Sequence, residues 1–406
     1  MTDKHYVIVG SGVAAVHAAK AIRDHDEEAT ISMYGEEDSL PYNRIKLSKG
    51  LFTDLHNEKV LIKKDKWYRA NKIDIHNGTT IARIDPEGKV AVTTDGQVIA
   101  YHKLLLCTGA TNRKLDIKGA TLRNVHNIRD LNDADQLKAS LQNGDRICVI
   151  GGGVQGVETA WSFMEAGYQV TIVEAASILM GRQLDKQASE LLTQTIIGFG
   201  ANVELGQGVK YIAGTDCVQG VELEGGRFLP CEHVVYSIGI VPNTALAKRA
   251  GILVQTGIVV NENMQTSVDH VFAAGDATEF QDKIEGLWGS AIEQGKIAGG
   301  NMAGNQVAHQ RSVPITLFNA FEMPLFSIGQ VDEHQCDISL FPTESEPYTR
   351  VFIKDGAISG VISFEGVAAS LPYKAVIEQK IKLEGFDFNH NSMEEIMVEF
   401  INRSYK

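Results

Sequence analysis

The chain has 406 residues, 44% apolar and 22% charged, and a net charge of −13 at pH 7. That length suggests roughly two or three domains with enough buried surface to need no disulfide or metal staple. The acidic balance argues against general nucleic-acid binding, and no run approaches the ~18 consecutive apolar residues that a membrane span needs.

The first strand-like run, Tyr6–Val9, starts close to the first residue. It leaves no room ahead of it for a signal or transit peptide, so the chain is expected to be cytoplasmic. After it come Gly10-Ser11-Gly12-Val13-Ala14-Ala15, an Ala-rich helical pattern to Arg23, and a second strand, Thr30–Tyr34, followed by Glu36. Strand, glycine turn, helix, strand and acid, in that order, make the βαβ dinucleotide fingerprint. The first glycine allows the tight turn and the second lets the backbone approach a pyrophosphate. The third position needs a small residue, and Ala15 supplies it. The pyrophosphate would sit on the helix N-terminus, where free N–H groups and the dipole favour an anion. Glu36 could accept hydrogen bonds from ribose hydroxyls.

The apolar run Leu104–Cys107 ends at Thr108-Gly109. The fingerprint then recurs, 141 residues after the first. Arg146–Ile150 is the strand, Gly151-Gly152-Gly153-Val154-Gln155-Gly156 the turn, and Val157–Ala166 the helix. Val170–Val173 is the next strand, with Glu174 at its end. One such turn is weak evidence; two in the same context are strong. Val234–Gly239 repeats the strand-to-glycine pattern, and Val271–Ala274 ends in Gly275-Asp276. A helix rich in small residues is expected over Ser290–Ala303. From about Arg311 glycine thins out. Asp355-Gly356 between β-rich runs signals a type I′ hairpin, and helices are expected over Leu371–Lys382 and Met393–Asn402. This tail holds seven basic and fourteen acidic residues, net −7. Five scattered cysteines (Cys107, Cys148, Cys217, Cys231, Cys336) without a CxxC pair exclude a disulfide scaffold and argue against a zinc site.

Two nucleotide folds, a glycine-ended strand after each and a late Gly-Asp strand resemble the FAD/NAD-linked reductases of the glutathione-reductase superfamily. Within it, Leu40-Pro41-Tyr42-Asn43-Arg44-Ile45-Lys46-Leu47-Ser48-Lys49 is similar to a segment of rubredoxin and ferredoxin reductases and of the flavin part of nitrite reductases. Ile45 stands where those have Pro. The resemblance implies an α/β fold with two Rossmann-like domains, for FAD and NADH, plus a small C-terminal α+β domain. The expected boundaries are 1–115 and 240–311 for FAD, 116–239 for NADH and 312–406 for the last domain.

By position, the resemblance implies FAD on Gly10, Gly12, Ala15 and Glu36. Arg44 and Lys49 would approach the flavin, Ala82 would run along the adenine by its backbone, and Thr108 and Gly109 would close over the cofactor. Asp276, after Gly275, would hold the ribityl chain or merely cap a helix. Trp288 would lie at the pyrimidine end or belong to the core. Gly151, Gly153, Gly156 and Glu174 would hold the nicotinamide nucleotide, with Gly239 at the end of the matching strand. Glu158 would lie beside the nicotinamide ring or simply complement the helix dipole. Lys49 and Glu158 are the candidate catalytic residues. A cation at Lys49 would stabilise a reduced flavin; the alternative is a solvated lysine.

Residues 36–72 contain no cysteine, whereas the superfamily's disulfide reductases carry a pair there and its peroxidase-type members a single one. Electrons are therefore expected to pass from flavin directly to an outside acceptor, a small acidic redox protein such as rubredoxin or ferredoxin. The alternatives are an NADH oxidase using oxygen, or a flavin-binding electron-transfer subunit of a larger assembly. Against the acidic whole, Arg44–Lys72 holds nine basic residues and three acidic ones, net +6. It is either a solvated face or the docking rim for that acceptor.

Overall fold

The computed structural model describes residues 4–341, 347–388 and 390–404. They form two compact units. One holds the described residues up to Lys46, with Asp54–Arg113 and Gly239–Arg311; the other holds Leu47–Thr53, Lys114–Ile238 and the described residues from Ser312 onward.

The first unit is built on a parallel sheet in the order Val271–Ala273, Lys103–Leu106, His5–Val9, Thr30–Tyr34, Ile73–His76. Its central strands read as unbroken apolar runs because both faces are covered: Val7, Ile8, Leu104 and Leu105 are fully buried. Val9 pairs with both Tyr34 and Leu106, so three strands end level at the Gly10 turn. Helices Val13–His25 and Trp288–Met302 pack closely on each other. A Cβ at Gly295 or Gly299 would strike the carbonyl oxygen of Ala14 or Ala18, which explains the small residues on both helices. Arg23 is 9% exposed, and backbone carbonyls receive its charge. Its guanidinium donates to the carbonyls of Asp26, Glu27, Ala29, Asn71 and Lys72, as a buried cation must find acceptors.

The second unit repeats the parallel design, with strands in the order Asn202–Leu205, Gln169–Glu174, Arg146–Ile150, His233–Tyr236, Val125–His126. Helix Val154–Glu165 follows the second glycine turn. The C-terminal part is an antiparallel five-stranded sheet in the order Ile315–Phe318, Leu325–Gly329, Ala357–Ser363, Thr349–Lys354, Ile338–Leu340. Asp355 (φ 50°) and Gly356 (φ 72°) both lie in the left-handed region, as a type I′ turn requires.

The helices expected at Ala15–Arg23, Val157–Ala166 and Ser290–Ala303 start two or three residues earlier, at the glycine turns or at Trp288. The one expected over Leu371–Lys382 is Ser370–Glu378. Lys380 turns left-handed (φ 51°) and Lys382 bridges Ala357 of the sheet, so the last turn is given up to strand pairing. Among the described residues no helix is long and apolar enough to cross a membrane.

Candidate active site

The glycines of the first turn have three separate jobs. Gly10 sits at φ 110°, and a Cβ there would collide with the Cys107 carbonyl. Only glycine fits on both counts. Gly12 has extended backbone (φ −78°, ψ −173°) and caps helix Val13–His25, yet a Cβ on it would meet no protein atom within 4 Å. It faces open space beside the free N–H groups of a helix start, which is the geometry an anion needs. Ala15 is fully buried under the turn. The second turn has the same division of labour. Gly151 sits at φ 108°, with its Cβ position on the Ser237 carbonyl; Gly153 faces open space; and a Cβ on Gly156 would strike the Gly151 carbonyl.

In the first unit Glu36 is exposed at the end of its strand. Its neighbour Glu37, which sequence reasoning passed over, accepts from the Tyr42 hydroxyl (2.6 Å) and pairs with Arg44, whose guanidinium also lies over the Tyr42 ring. Ala82 falls in a register shift of its hairpin, and its carbonyl accepts from Arg249 (3.2 Å). Thr108 donates to the Asn243 carbonyl (2.7 Å) while the Asn243 amide donates to the Thr108 carbonyl (2.9 Å). That reciprocal pair of hydrogen bonds fixes the Thr108-Gly109 turn, where Gly109 has φ 63°. Gly239 (φ 100°) accepts from the Arg113 N–H across the antiparallel pair Ala110–Asn112 and Ile240–Pro242. Gly275 sits at φ 85°, with its Cβ position 3.2 Å from Ala14 Cβ. The Asp276 turn therefore lies against the helix that starts at the first glycine turn. Trp288 is the first residue of its helix and is half-buried.

In the second unit, Lys49 and Glu158 come together: Nζ stands 3.1 Å from Oε1. Glu158 is 6% exposed. Burial pushes its carboxyl up from the ordinary range, against the pull of the Lys49 ammonium and the Ser48 hydroxyl (3.4 Å). The Ser162 hydroxyl donates to the Ser48 carbonyl (2.6 Å), tying the short helix Lys46–Lys49 to helix Val154–Glu165. Lys49 Nζ also reaches the Leu317 carbonyl (3.4 Å) of the C-terminal sheet. Glu174 receives the Gly152 N–H (2.6 Å) on one oxygen and the Ala176 N–H (2.7 Å) on the other.

Cys107, Cys148 and Cys231 are buried, and burial pushes the Cys107 thiol well above its ordinary range; such a thiol is inert. Replacing all five cysteines with Ser or Ala is expected to leave flavin reduction by NADH intact. Stopped-flow loss of that step in a folded, flavin-loaded variant would overturn the expectation. Among the described residues no group of three His, Cys, Asp or Glu side chains is placed to hold a metal.

Two parallel-sheet domains, each opening a helix on a glycine turn with an acid at the end of the next strand, define a two-nucleotide oxidoreductase fold. The chain belongs to the pyridine nucleotide-disulphide oxidoreductase family, whose signature matches residues 4–295. Residues 314–381 match the rubredoxin NAD+ reductase C-terminal domain. The chain is 32% identical to the nitrite reductase [NAD(P)H] of Bacillus subtilis over 90% of its own length and 46% of that protein, so it spans about half the length of that relative. It is 33% identical to the rhodocoxin reductase of Rhodococcus erythropolis, over 80% of this chain and 77% of that one. The putidaredoxin reductase of a covalent complex with putidaredoxin shares the fold over the whole of both chains, with a TM-score of 0.88 and 24% identity.

Proposed function

We propose that this chain is an FAD-dependent reductase that takes hydride from NADH and delivers electrons to a small rubredoxin- or ferredoxin-type protein. The observation that carries the reading is the pair of glycine turns, each with its second glycine facing open space at a helix start. FAD on 1–115 and 240–311, NADH on 116–239 and a separate C-terminal domain over 312–406 complete the assignment, with the protein working in the cytoplasm.

Bound flavin would supply the chemistry of accepting a hydride and releasing two electrons one at a time. The chain's own residues bind and orient. Gly12 and Gly153 leave room for two pyrophosphates, Glu36 and Glu174 accept from ribose hydroxyls, and Asp276 presents a carboxylate to the ribityl chain. Trp288, Thr108, Gly109, Arg44 and the Ala82 backbone bound the same cofactor. Glu158, on the helix that follows the second turn and paired with Lys49, would orient the nicotinamide ring. NADH bleaching of the isolated chain's flavin, followed by reduction of added rubredoxin or ferredoxin, tests the reading. Oxygen consumption that matches NADH loss, with no protein acceptor reduced, would replace it with an oxidase. The half-length match to a nitrite reductase favours a second reading, in which the chain is the flavin part of a larger electron-transfer assembly. In that case its flavin would bleach but neither rubredoxin nor ferredoxin would be reduced.

Nucleotide choice follows from Glu174. A 2′-phosphate there would meet like charge, and no Arg or Lys follows until Arg182. NADH is expected to exceed NADPH by at least about tenfold in kcat/KM, equivalent to about 1.4 kcal/mol. Equal use of the two nucleotides would refute this.

The acceptor would dock on the basic stretch Arg44–Lys72. Part of its charge is internally matched: Arg44 pairs with Glu37, Lys64 with Glu58 (2.6 Å) and Arg69 with Asp65 (2.5 Å). Lys59, Lys63, Lys66 and Lys72 are exposed outside those pairs, and Lys63 rides over the Trp67 ring. An acidic partner would be steered to this rim against the repulsion of the acidic whole. Reversing Lys63, Lys64 and Lys66 to Glu is expected to raise the KM for the protein acceptor and spare a small neutral dye. Raising ionic strength from ~10 to ~300 mM, which shrinks the Debye length from about 30 Å to under 10 Å, should slow acceptor reduction but not flavin reduction. Unchanged acceptor kinetics in the triple reversal would make the segment a solvated face.

A further inference from the structure

The turn that carries Asp276 is held by a side chain 18 residues further along the chain. Gln294 lies on helix Trp288–Met302 and is 3% exposed. Its Oε1 accepts the Gly275 N–H (2.9 Å) and lies 2.9 Å from the Thr278 hydroxyl. The backbone N–H can only donate, so the amide oxygen, not the nitrogen, must face the turn. Thr278 closes the same turn from the other side: its N–H (2.9 Å) and its hydroxyl (2.7 Å) both reach the Gly275 carbonyl. Both polar groups of Gly275, which sits at φ 85°, are thereby bonded.

Over the stretch 271–280 every residue is buried except Gly275 and Asp276. Gly275 and Asp276 are a two-residue opening in an otherwise buried stretch, and Gln294 and Thr278 hold its frame from two sides. The next residue, Gly295, lies directly on the Ala14 carbonyl, and the Gly275 Cβ position touches Ala14 Cβ. One helix therefore sets the spacing of two features at once: the start of helix Val13–His25, where a pyrophosphate would lie, and the Asp276 turn beside it.

We propose that Gln294 is a positioning residue for flavin binding, acting through Gly275 to aim Asp276. The proposal rests on the FAD reading above and adds to it a residue that touches no cofactor. Removing the acceptor leaves the Gly275 N–H without its partner and the turn held from the Thr278 side alone. Gln294→Leu keeps the size and removes the oxygen; Gln294→Glu keeps an acceptor at the same reach; Gln294→Asn withdraws it by one methylene.

The experiment is titration of each apo-protein with FAD, read by flavin fluorescence, with NADH binding to the same apo-proteins read by calorimetry. Q294L and Q294N should bind FAD at least tenfold more weakly than the parent. Q294E should stay within about threefold, and NADH affinity should be the same in all four. A general packing defect would not be rescued by Glu, so equal losses in Q294E and Q294L would overturn the proposal. Parental FAD affinity in Q294L would do the same. If Q294L does not fold, the Q294N and Q294E pair decides the question on the same criteria. A parent chain that binds no FAD at all would instead sink the functional reading on which the proposal stands.

Discussion

Gly153→Ala is expected to weaken NADH binding by roughly 5- to 150-fold while changing stability by no more than about 1 kcal/mol, because alanine's poorer N-cap preference offsets its smaller unfolded-state entropy. Gly153 already has backbone angles that alanine adopts freely (φ −74°, ψ 177°), and its added methyl would touch no protein atom within 4 Å. Fewer unfolded conformations then favour the folded state. The only thing the methyl can meet is a ligand pressed against the helix start. Gly12→Ala should do the same to FAD, since Gly12 has matching angles and the same open space. Gly151→Ala should behave in the opposite way. At φ 108°, with the Ser237 carbonyl where the methyl must go, it strains the fold by about 1–3 kcal/mol whether or not nucleotide is present. Thermal melts of the apo-proteins beside calorimetric titrations separate the two behaviours. A G153A protein that binds NADH like the parent would remove the turn from the nucleotide site.

The division of labour within each glycine turn was legible because the sequence carries the backbone constraint itself. No other residue type tolerates the Gly10 and Gly151 conformations, and the flanking apolar runs place those turns at strand ends. The positions of Glu36 and Glu174 at the ends of their strands were legible as well, since strand length fixes where they emerge. The residues that hold the site rigid were less visible. Asn243 acts on Thr108 across 135 residues, and Gln294 reaches Gly275 across a helix. Both are single polar side chains whose partners are backbone groups, so no motif spacing announces them. In hindsight Gln294 had one local signal: it is a polar residue on the buried stripe that also contains Ser290, Ala291 and Ala298.

The loop before Leu325 was illegible for another reason. Phe321 (φ 56°) and Glu322 (φ 52°) both take left-handed conformations although neither is a glycine or an asparagine. Phe321 is 1% exposed and packs on Trp161 with ring centroids 4.8 Å apart. Burial of a large ring outweighs a backbone preference of about 1–2 kcal/mol. The Lys49–Glu158 pair shows the same limit. Each residue stood out for its position in the chain, but their meeting across 109 residues is set by the packing of helix Lys46–Lys49 on helix Val154–Glu165, which Ser162 fastens.

The second large effect is expected at Arg350, where Arg350→Met should destabilise the protein by about 3–5 kcal/mol. Arg350 is 7% exposed, and its guanidinium lies over the Phe341 and Phe352 rings, 4.5 and 5.0 Å from their centroids. It donates to Asp185 Oδ2 (2.6 Å), Glu333 (2.8 Å) and Ser339 (3.0 Å). Asp185 is itself 8% exposed; its other oxygen caps helix Lys186–Gly198 through the Ala188 N–H (2.8 Å). The Tyr348 hydroxyl donates to the same Oδ2 (2.5 Å), and burial, reinforced by that carboxylate, pushes the phenol far up. Methionine would fill the volume beside the rings but leave a buried carboxylate without its cation. The size of the effect therefore comes from the stranded charge rather than from lost packing. A second change exposes this. Asp185→Ser keeps an oxygen for the Ala188 N–H, so the cap survives, and removes the charge. In urea unfolding followed by circular dichroism, R350M/D185S should recover most of the stability that R350M loses, giving a coupling of at least about 2 kcal/mol. Losses that simply add would mean that Arg350 works through its contacts with Phe341 and Phe352, and that the ion pair contributes little to holding the C-terminal sheet on the helix that Asp185 caps.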